Sequence, residues 1–158
     1  MGWRKRARAF TLVELMIVIA ILGILGSIAI PKFADLIRKS NEGKTKGNLG
    51  AIRSALNIYY ADNEGYYPTG AAQTNTTFLQ ESLTLNTKYL GKWPEAHAPN
   101  YHPAIATVDT LNNGDAMAAD SSDDGEWVYV SNSADPNWGL IMMECYHTDT
   151  TGKVWTTY

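Results

Sequence analysis

The 158-residue chain is predicted to be an α+β protein, with one long N-terminal α-helix packed on a small C-terminal antiparallel sheet. Three observations predict it. Residues 10–30, FTLVELMIVIAILGILGSIAI, form an apolar run whose only charge is Glu14. From Lys32 to Asp62, apolar residues recur at three- and four-residue steps, the period of an amphipathic helix. Beyond residue 125, short segments rich in Val, Ile, Tyr and Trp alternate with Gly, Asn, Asp and Pro clusters, as strands alternate with turns.

The first element, residues 10–30, is apolar all the way round. A helix without a polar face needs lipid or the inside of an assembly around it. At about 1.5 Å per residue it spans roughly 30 Å, the thickness of a bilayer core. Arg4, Lys5, Arg6 and Arg8 stand directly before it. The positive-inside bias keeps that end in the cytoplasm and places Pro31 onward outside.

Residues 31–65 form the second half of the helix. Pro31 lacks an N–H, and Gly23 and Gly26 lower helical propensity just upstream, so 23–31 is expected to be a bend or a melted turn. Phe33, Leu36 and Ile37 mark one stripe; Leu49, Ile52, Leu56, Tyr59 and Tyr60 mark another, and this half is expected to carry a globular domain on its apolar side. A single helix from Phe10 to Asp62 would be roughly 80 Å long, more than a domain of this size can bury. Gly43, Gly47 and Gly50 weaken it, which fits either a frayed but continuous helix or a hinge. Asp62-Asn63-Glu64-Gly65 ends it, with Gly65 expected at the C′ position.

Residues 66–125 read as an irregular connection, with a short helix over Phe78–Leu85, an apolar plug at Tyr89–Pro94, and a strand between 104 and 112 left open. Residues 126–158 are predicted to supply three strands: Glu126–Val130, Trp138–Tyr146 and Val154–Tyr158. Alternation turns Ile141, Met143 and Cys145 to one face, against the helix stripe at 49, 52, 56 and 59. Trp127, Trp138 and Trp155 are expected in the core or on the sheet face.

Charge and chemistry exclude several classes. Removing residues 1–9 takes four of the thirteen Lys and Arg and no acid, leaving nine against sixteen acidic residues, a formal charge of −7. Such a surface argues against non-specific nucleic-acid binding, and no specific nucleic acid is predicted as a partner. There is no Ser/His/Asp set, phosphate-binding loop, dinucleotide fingerprint or CxxC, so no enzyme is predicted and no catalytic residue is assigned. The single Cys145 cannot form an intrachain disulfide, and its apolar strand context predicts a buried, inert thiol. The fold must then be held by packing, or partly by an ion. His97 and His102 lack a third ligand at a zinc-like spacing. Asp120, Asp123, Asp124 and Glu126 cluster their charges, which calcium would relieve, although the spacing is not an EF-hand. No cofactor is committed, and Ca2+ stays an open candidate.

Three readings of the N-terminus compete. A secretory signal peptide would use Ser27-Ile28-Ala29 as its cleavage site. An uncut anchor is the second reading. The third is cleavage between Ala9 and Phe10 with the apolar run retained. Glu14 discriminates: a carboxylate in a lipid-facing helix costs a few kcal/mol, and only the third reading gives it a partner. That cut creates a cationic α-amine four residues from Glu14.

The run RARA-FTLVELMIVIAILGILGSIAIPKF resembles the class III signal and N-terminal helix of type IV pilins and type II secretion pseudopilins. The shared features are the short basic leader, Phe10, Glu14, the uncharged run and Pro31; Asn63-x-Gly65-x-Tyr67-Pro68 also matches. Ala9 departs from the glycine usual before the cut. The resemblance implies a pilin fold, with a leader at 1–9, an assembly helix at 10–30, its amphipathic half at 31–65, a surface-exposed connecting loop at 66–125 and a sheet at 126–158. It implies processing by a prepilin peptidase, N-methylation of Phe10, and assembly roles for Glu14, Gly23, Gly26 and Pro31. It also implies a homo-oligomeric helical filament, built from the inner membrane by an assembly platform with minor pilins. The precursor would sit in that membrane with a periplasmic C-terminus, and the filament would be extracellular. The expected function is a type IV pilus subunit serving attachment, twitching motility or DNA uptake, with a secretion pseudopilin as the alternative. Major pseudopilins also hold calcium in a loop near the sheet, which is why Asp120–Glu126 is kept open. An exported soluble binding module, released by cutting after Ala29, is the third expectation.

Overall fold

The computed structural model describes residues 10–69, 77–111 and 123–158. In chain order these hold α1 (Leu12–Asp62), α2 (Phe78–Thr84), β1 (Ala96–Ala98), β2 (His102–Ile105), β3 (Val108–Leu111), β4 (Trp127–Val130) and β5 (Ile141–Met143). Short 3-10 turns follow α2 at Leu85–Thr87 and close the chain at Trp155–Thr157. The chain divides into two compact units, one ending at Ile37 and the other beginning at Arg38.

From Leu12 onward the first unit is helix. Its large apolar side chains are all exposed, from Phe10 at 86% to Ile30 at 72%. The helix runs through Gly23, Gly26 and Pro31 without a break, so the expected melted turn does not form in the lone chain. Proline's fixed φ is helical, and its missing N–H removes one ladder bond without ending the helix. Phe33, Leu36 and Ile37 remain about 60% exposed and carry no domain, contrary to expectation. Only the stripe further along is covered.

The second unit is built on the C-terminal half of α1. Leu49, Ile52, Ala55 and Leu56 are buried against Trp127 and Tyr129 of β4, Ile141 and Met143 of β5, and Val108 of β3. Leu79 and Leu83 of α2, Trp93, Cys145 and Trp155 complete this core. Ile141, Met143 and Cys145 share it with the helix stripe, as alternation predicts. The opposite sheet face gathers Val128, Val130 and Met142, with Leu111 packed beside them.

The sheet differs from expectation in composition. Its order is β3-β4-β5, with β4 and β5 antiparallel but β3 parallel to β4, so it is mixed. The third strand is Val108–Leu111, and the expected strand at Val154–Tyr158 is absent. Val154 makes one bridge to Thr148, and the chain then coils so that Trp155 plugs the core. A buried indole of that size competes well with a strand at a sheet edge. The middle strand is also shorter than expected, because Gly139 takes φ +88° and residues 138–140 turn instead. A Cβ there would lie 2.5 Å from the Tyr67 ring. β1 and β2 form a separate antiparallel pair inside the region read as irregular.

α1 ends in a Schellman-type turn shifted by one residue from expectation. Glu64, at φ 55°, takes the left-handed C′ position, and Gly65, at φ 92°, donates its N–H to the Tyr60 carbonyl at 2.9 Å.

The glycine-rich stretch of α1 is continuous helix, and its polar side chains explain why it is polar. Thr45 Oγ1 donates to the His97 carbonyl and accepts from the His97 N–H, at 2.9 and 3.0 Å. Asn48 donates to the Glu95 carbonyl at 2.8 Å, and the buried Glu42 carboxylate accepts the Thr150 N–H at 3.1 Å. Arg53 donates to the carbonyls of Ile141 (2.9 Å) and Tyr158 (2.6 Å); burial draws its pKa down.

Candidate functional site

The chemistry singled out by sequence begins at Phe10. Ala9, on the other side of the expected cut, lies outside the described residues, as does Asp120. Phe10 precedes the helix, and Thr11 caps it. The Thr11 N–H and hydroxyl both donate to Glu14 Oε2, at 2.8 and 2.9 Å, while the Glu14 N–H donates to Thr11 Oγ1 at 3.2 Å. This is a reciprocal capping box, Thr-x-x-Glu at the N-cap and third helical position. The sequence signal, Thr11 three residues before Glu14, was available and went unused. Glu14 thus starts the helix and sits at the positive end of its dipole. Its carboxylate lies one turn from the backbone nitrogen of Phe10, which a cut after Ala9 would free as an amine.

Beyond Glu14 the helix offers only apolar surface up to Ile30, apart from Ser27, whose hydroxyl folds back onto the Ile24 carbonyl at 2.7 Å. The helix is long and apolar enough to cross a membrane, and its most apolar window has no buried residue. A Cβ on Gly23 or Gly26 would meet nothing within 4 Å, so nothing in the lone chain demands glycine at either position.

This arrangement can do two things. It leaves Phe10 open to solvent, and it exposes a greasy rod that must be covered by lipid or by sister helices. The family model for the prokaryotic N-terminal methylation motif matches residues 4–30. The type II secretion system core protein G of Dickeya chrysanthemi is 30% identical over 149 residues, covering 85% of this chain and 95% of that protein. The chain belongs to the type IV pilin and type II secretion pseudopilin superfamily.

Pilin relatives match the front of this pilin-like subunit more closely. The type IV major pilin PilA of Myxococcus xanthus is 44% identical over 64 residues, 40% of this chain and 29% of that protein. The type IV narrow pilus major component PilA5 of Thermus thermophilus is 45% identical over 60 residues, 38% of this chain and 52% of that protein. The chain thus spans about half or less of these two pilins. No solved structure matches it. The expected fold class, a long apolar helix with a small sheet in an α+β chain, is the one observed.

The other candidates of the head fall in distinct surroundings. His97 is held through its backbone by Thr45, while His102 faces Asp123. Asp123 leaves the acidic set: its carboxylate oxygens face His102 Nε2 at 3.3 Å and His147 Nδ1 at 3.4 Å. Asp124 is exposed, and the Glu126 carbonyl accepts the Glu144 N–H at 2.9 Å. Cys145 is fully buried, as expected, and burial pushes its thiol up to about 11. Its Sγ lies 3.6 Å from His147 Nδ1. The sequence signal that links the two is the short spacing Cys145-x-His147.

Proposed function

We propose that the protein is the structural subunit of a type IV pilus filament, held in the inner membrane through residues 10–30 until it assembles. One observation carries the reading: a single carboxylate, Glu14, follows Phe10 by four residues in the otherwise uncharged stretch 10–30, whose large apolar side chains are all exposed. In this reading a prepilin peptidase cuts before Phe10, the new amine is methylated, and Glu14 neutralises that amine on its own or a neighbouring subunit as the helices stack. The head faces the periplasm in the precursor and coats the filament afterwards. Burial of the apolar rod stabilises the filament core by roughly 25 cal/mol per Å² against water, but the rod leaves lipid of similar polarity. Assembly therefore needs an energised platform, with minor pilins as partners. The subunit itself performs no catalysis.

The higher identities over the helix are to type IV pilins, which favours the pilus reading. The match to the secretion core protein G favours a second one, because it alone among the relatives described here extends over the head. There the chain would be a pseudopilin whose short filament serves protein export.

Mass spectrometry of the purified subunit tests what both readings share: the mature chain should begin at methylated Phe10. A chain beginning at Ile30, or one retaining its arginine-rich leader, would overturn both. Deleting the gene separates them, since loss of surface filaments supports the pilus and loss of enzyme export with filaments intact supports the pseudopilin.

A further inference from the structure

His102, Asp123, Cys145 and His147 bring a thiol, two imidazoles and a carboxylate to one place. One ligand atom from each lies within 4.8 Å of the others. The measured separations are 3.3 Å from His102 Nε2 to Asp123 Oδ1, 3.4 Å from His147 Nδ1 to Asp123 Oδ2, and 3.6 Å from Cys145 Sγ to His147 Nδ1. A tetrahedral zinc ion with bonds of 2.0–2.3 Å spaces its ligand atoms about 3.3–3.8 Å apart. Two edges that share His147 Nδ1, to Cys145 Sγ and to Asp123 Oδ2, therefore already have such lengths, and His102 Nε2 stands as close to the other Asp123 oxygen.

The surroundings hold the four donors in place. The Tyr146 N–H donates to Asp123 Oδ1 at 2.9 Å. Tyr101 stacks on the His147 ring, with centroids 3.8 Å apart and planes 15° apart. Gly125, at φ +76°, lets its loop press on His102, where any Cβ would lie 2.5 Å from the His102 Cβ and Cγ. His102 Nε2 is buried and, although 3.3 Å from the Asp123 carboxylate, makes no aligned hydrogen bond; a bound cation between the two would satisfy both.

We propose that these four residues bind one divalent transition-metal ion of the zinc type. The donor set decides the class: sulfur with two imidazole nitrogens suits zinc, whereas calcium and magnesium take oxygen ligands. Four protein donors fill a tetrahedron and leave no position for substrate, so the ion is structural. It would tie together the start of β2, the lead into β4 and the segment after β5. That is the cross-link which a chain with a single cysteine cannot make by disulfide. The site is independent of filament assembly and of the N-terminal cut.

The test uses the full chain in detergent, stripped with a chelator and titrated separately with zinc, cobalt and calcium chlorides. One zinc should bind per chain, and cobalt should give tetrahedral absorption with a thiolate-to-metal charge-transfer band. At a hundredfold excess over its Kd, zinc should raise Tm by roughly 8 °C. Cys145→Ser should lose the charge-transfer band. His147→Gln alters a side chain that is 37% exposed, so the fold survives, and it should weaken zinc binding at least about tenfold. His97→Gln should bind as the parent does. Cobalt spectra without a thiolate band, equal zinc affinity in parent and His147→Gln, or stabilisation by calcium but not zinc would each overturn the proposal.

Discussion

Asp149 shows how much one side chain can organise. It is wholly buried, and its carboxylate accepts from Lys46, from the Tyr158 hydroxyl at 2.6 Å, and from Thr151 N–H and Oγ1 and the Lys153 N–H at 2.7–3.0 Å. Burial works against the charge, yet these donors outweigh it and hold the carboxyl well below the usual range. A depressed carboxyl contributes stability that is fully present above its unfolded value, about pH 4, and is lost as pH falls toward the folded value. Asp149→Asn should therefore cost about 2–3 kcal/mol at pH 7 and progressively less below pH 4, read from denaturant melts of parent and variant. Glu14→Ala is the matching prediction in the helix. Losing the capping box should cost the helix about 1 kcal/mol while cleavage continues, and the filament yield on electron micrographs should collapse. Normal assembly of that variant would remove the pairing assigned to Glu14. Glu14 was legible because a lone acid in an apolar run is conspicuous. Asp149 was not, because its cationic partner Lys46 lies 103 residues away in sequence and only folding brings them close.

At the level of elements, the helix was legible from its apolar run, from the amphipathic period that follows over Lys32–Asp62 and from the local turn chemistry at Asp62–Gly65, whereas its continuity through Pro31 was not. The sheet was legible only in part. β4 and β5 announce themselves by composition, but β3 had no alternation strong enough to commit to. Val154–Tyr158 looked like a strand because Val, Trp and Tyr favour strands for the same reason that they favour cores. The metal-type cluster was hidden because its donors come from three separate segments. Two glycine substitutions follow. Gly125→Ala should lower stability by roughly 1–3 kcal/mol in thermal or denaturant melts, because it combines a left-handed φ with a Cβ driven into His102. Gly23→Ala meets no neighbour, so it should leave the melt of the head unchanged and raise helix content slightly. If the 23–31 segment opens during assembly, the same variant should reduce filament yield, and unaltered filaments would show that it does not open.

For the molecule as a whole, the division at Ile37/Arg38 separates two kinds of stability. Among its described residues the first unit buries none and depends on its surroundings, whereas the second has a core of its own. Removing detergent from the full chain should therefore cause association through residues 10–37 while near-UV circular dichroism of the head persists. Simultaneous loss of the near-UV signal would mean that the head relies on the apolar helix for its fold.

Apart from the side-chain pairs of Lys46 with Asp149 and of Glu42 with Thr150, several bonds from α1 and β4 to the loops of the head share a habit. Thr45 grips the backbone of His97, Asn48 that of Glu95, Arg53 those of Ile141 and Tyr158, while Trp127 and Tyr129 reach the carbonyls of Pro94 and Pro68. None of these grips reads the side chain of the residue it holds. Outward-facing letters along those loops can thus be rewritten one at a time while the scaffold beneath them stays shut. In the proposed filament, a coat of many identical copies would in this way change its outward chemistry without rebuilding the body that wears it.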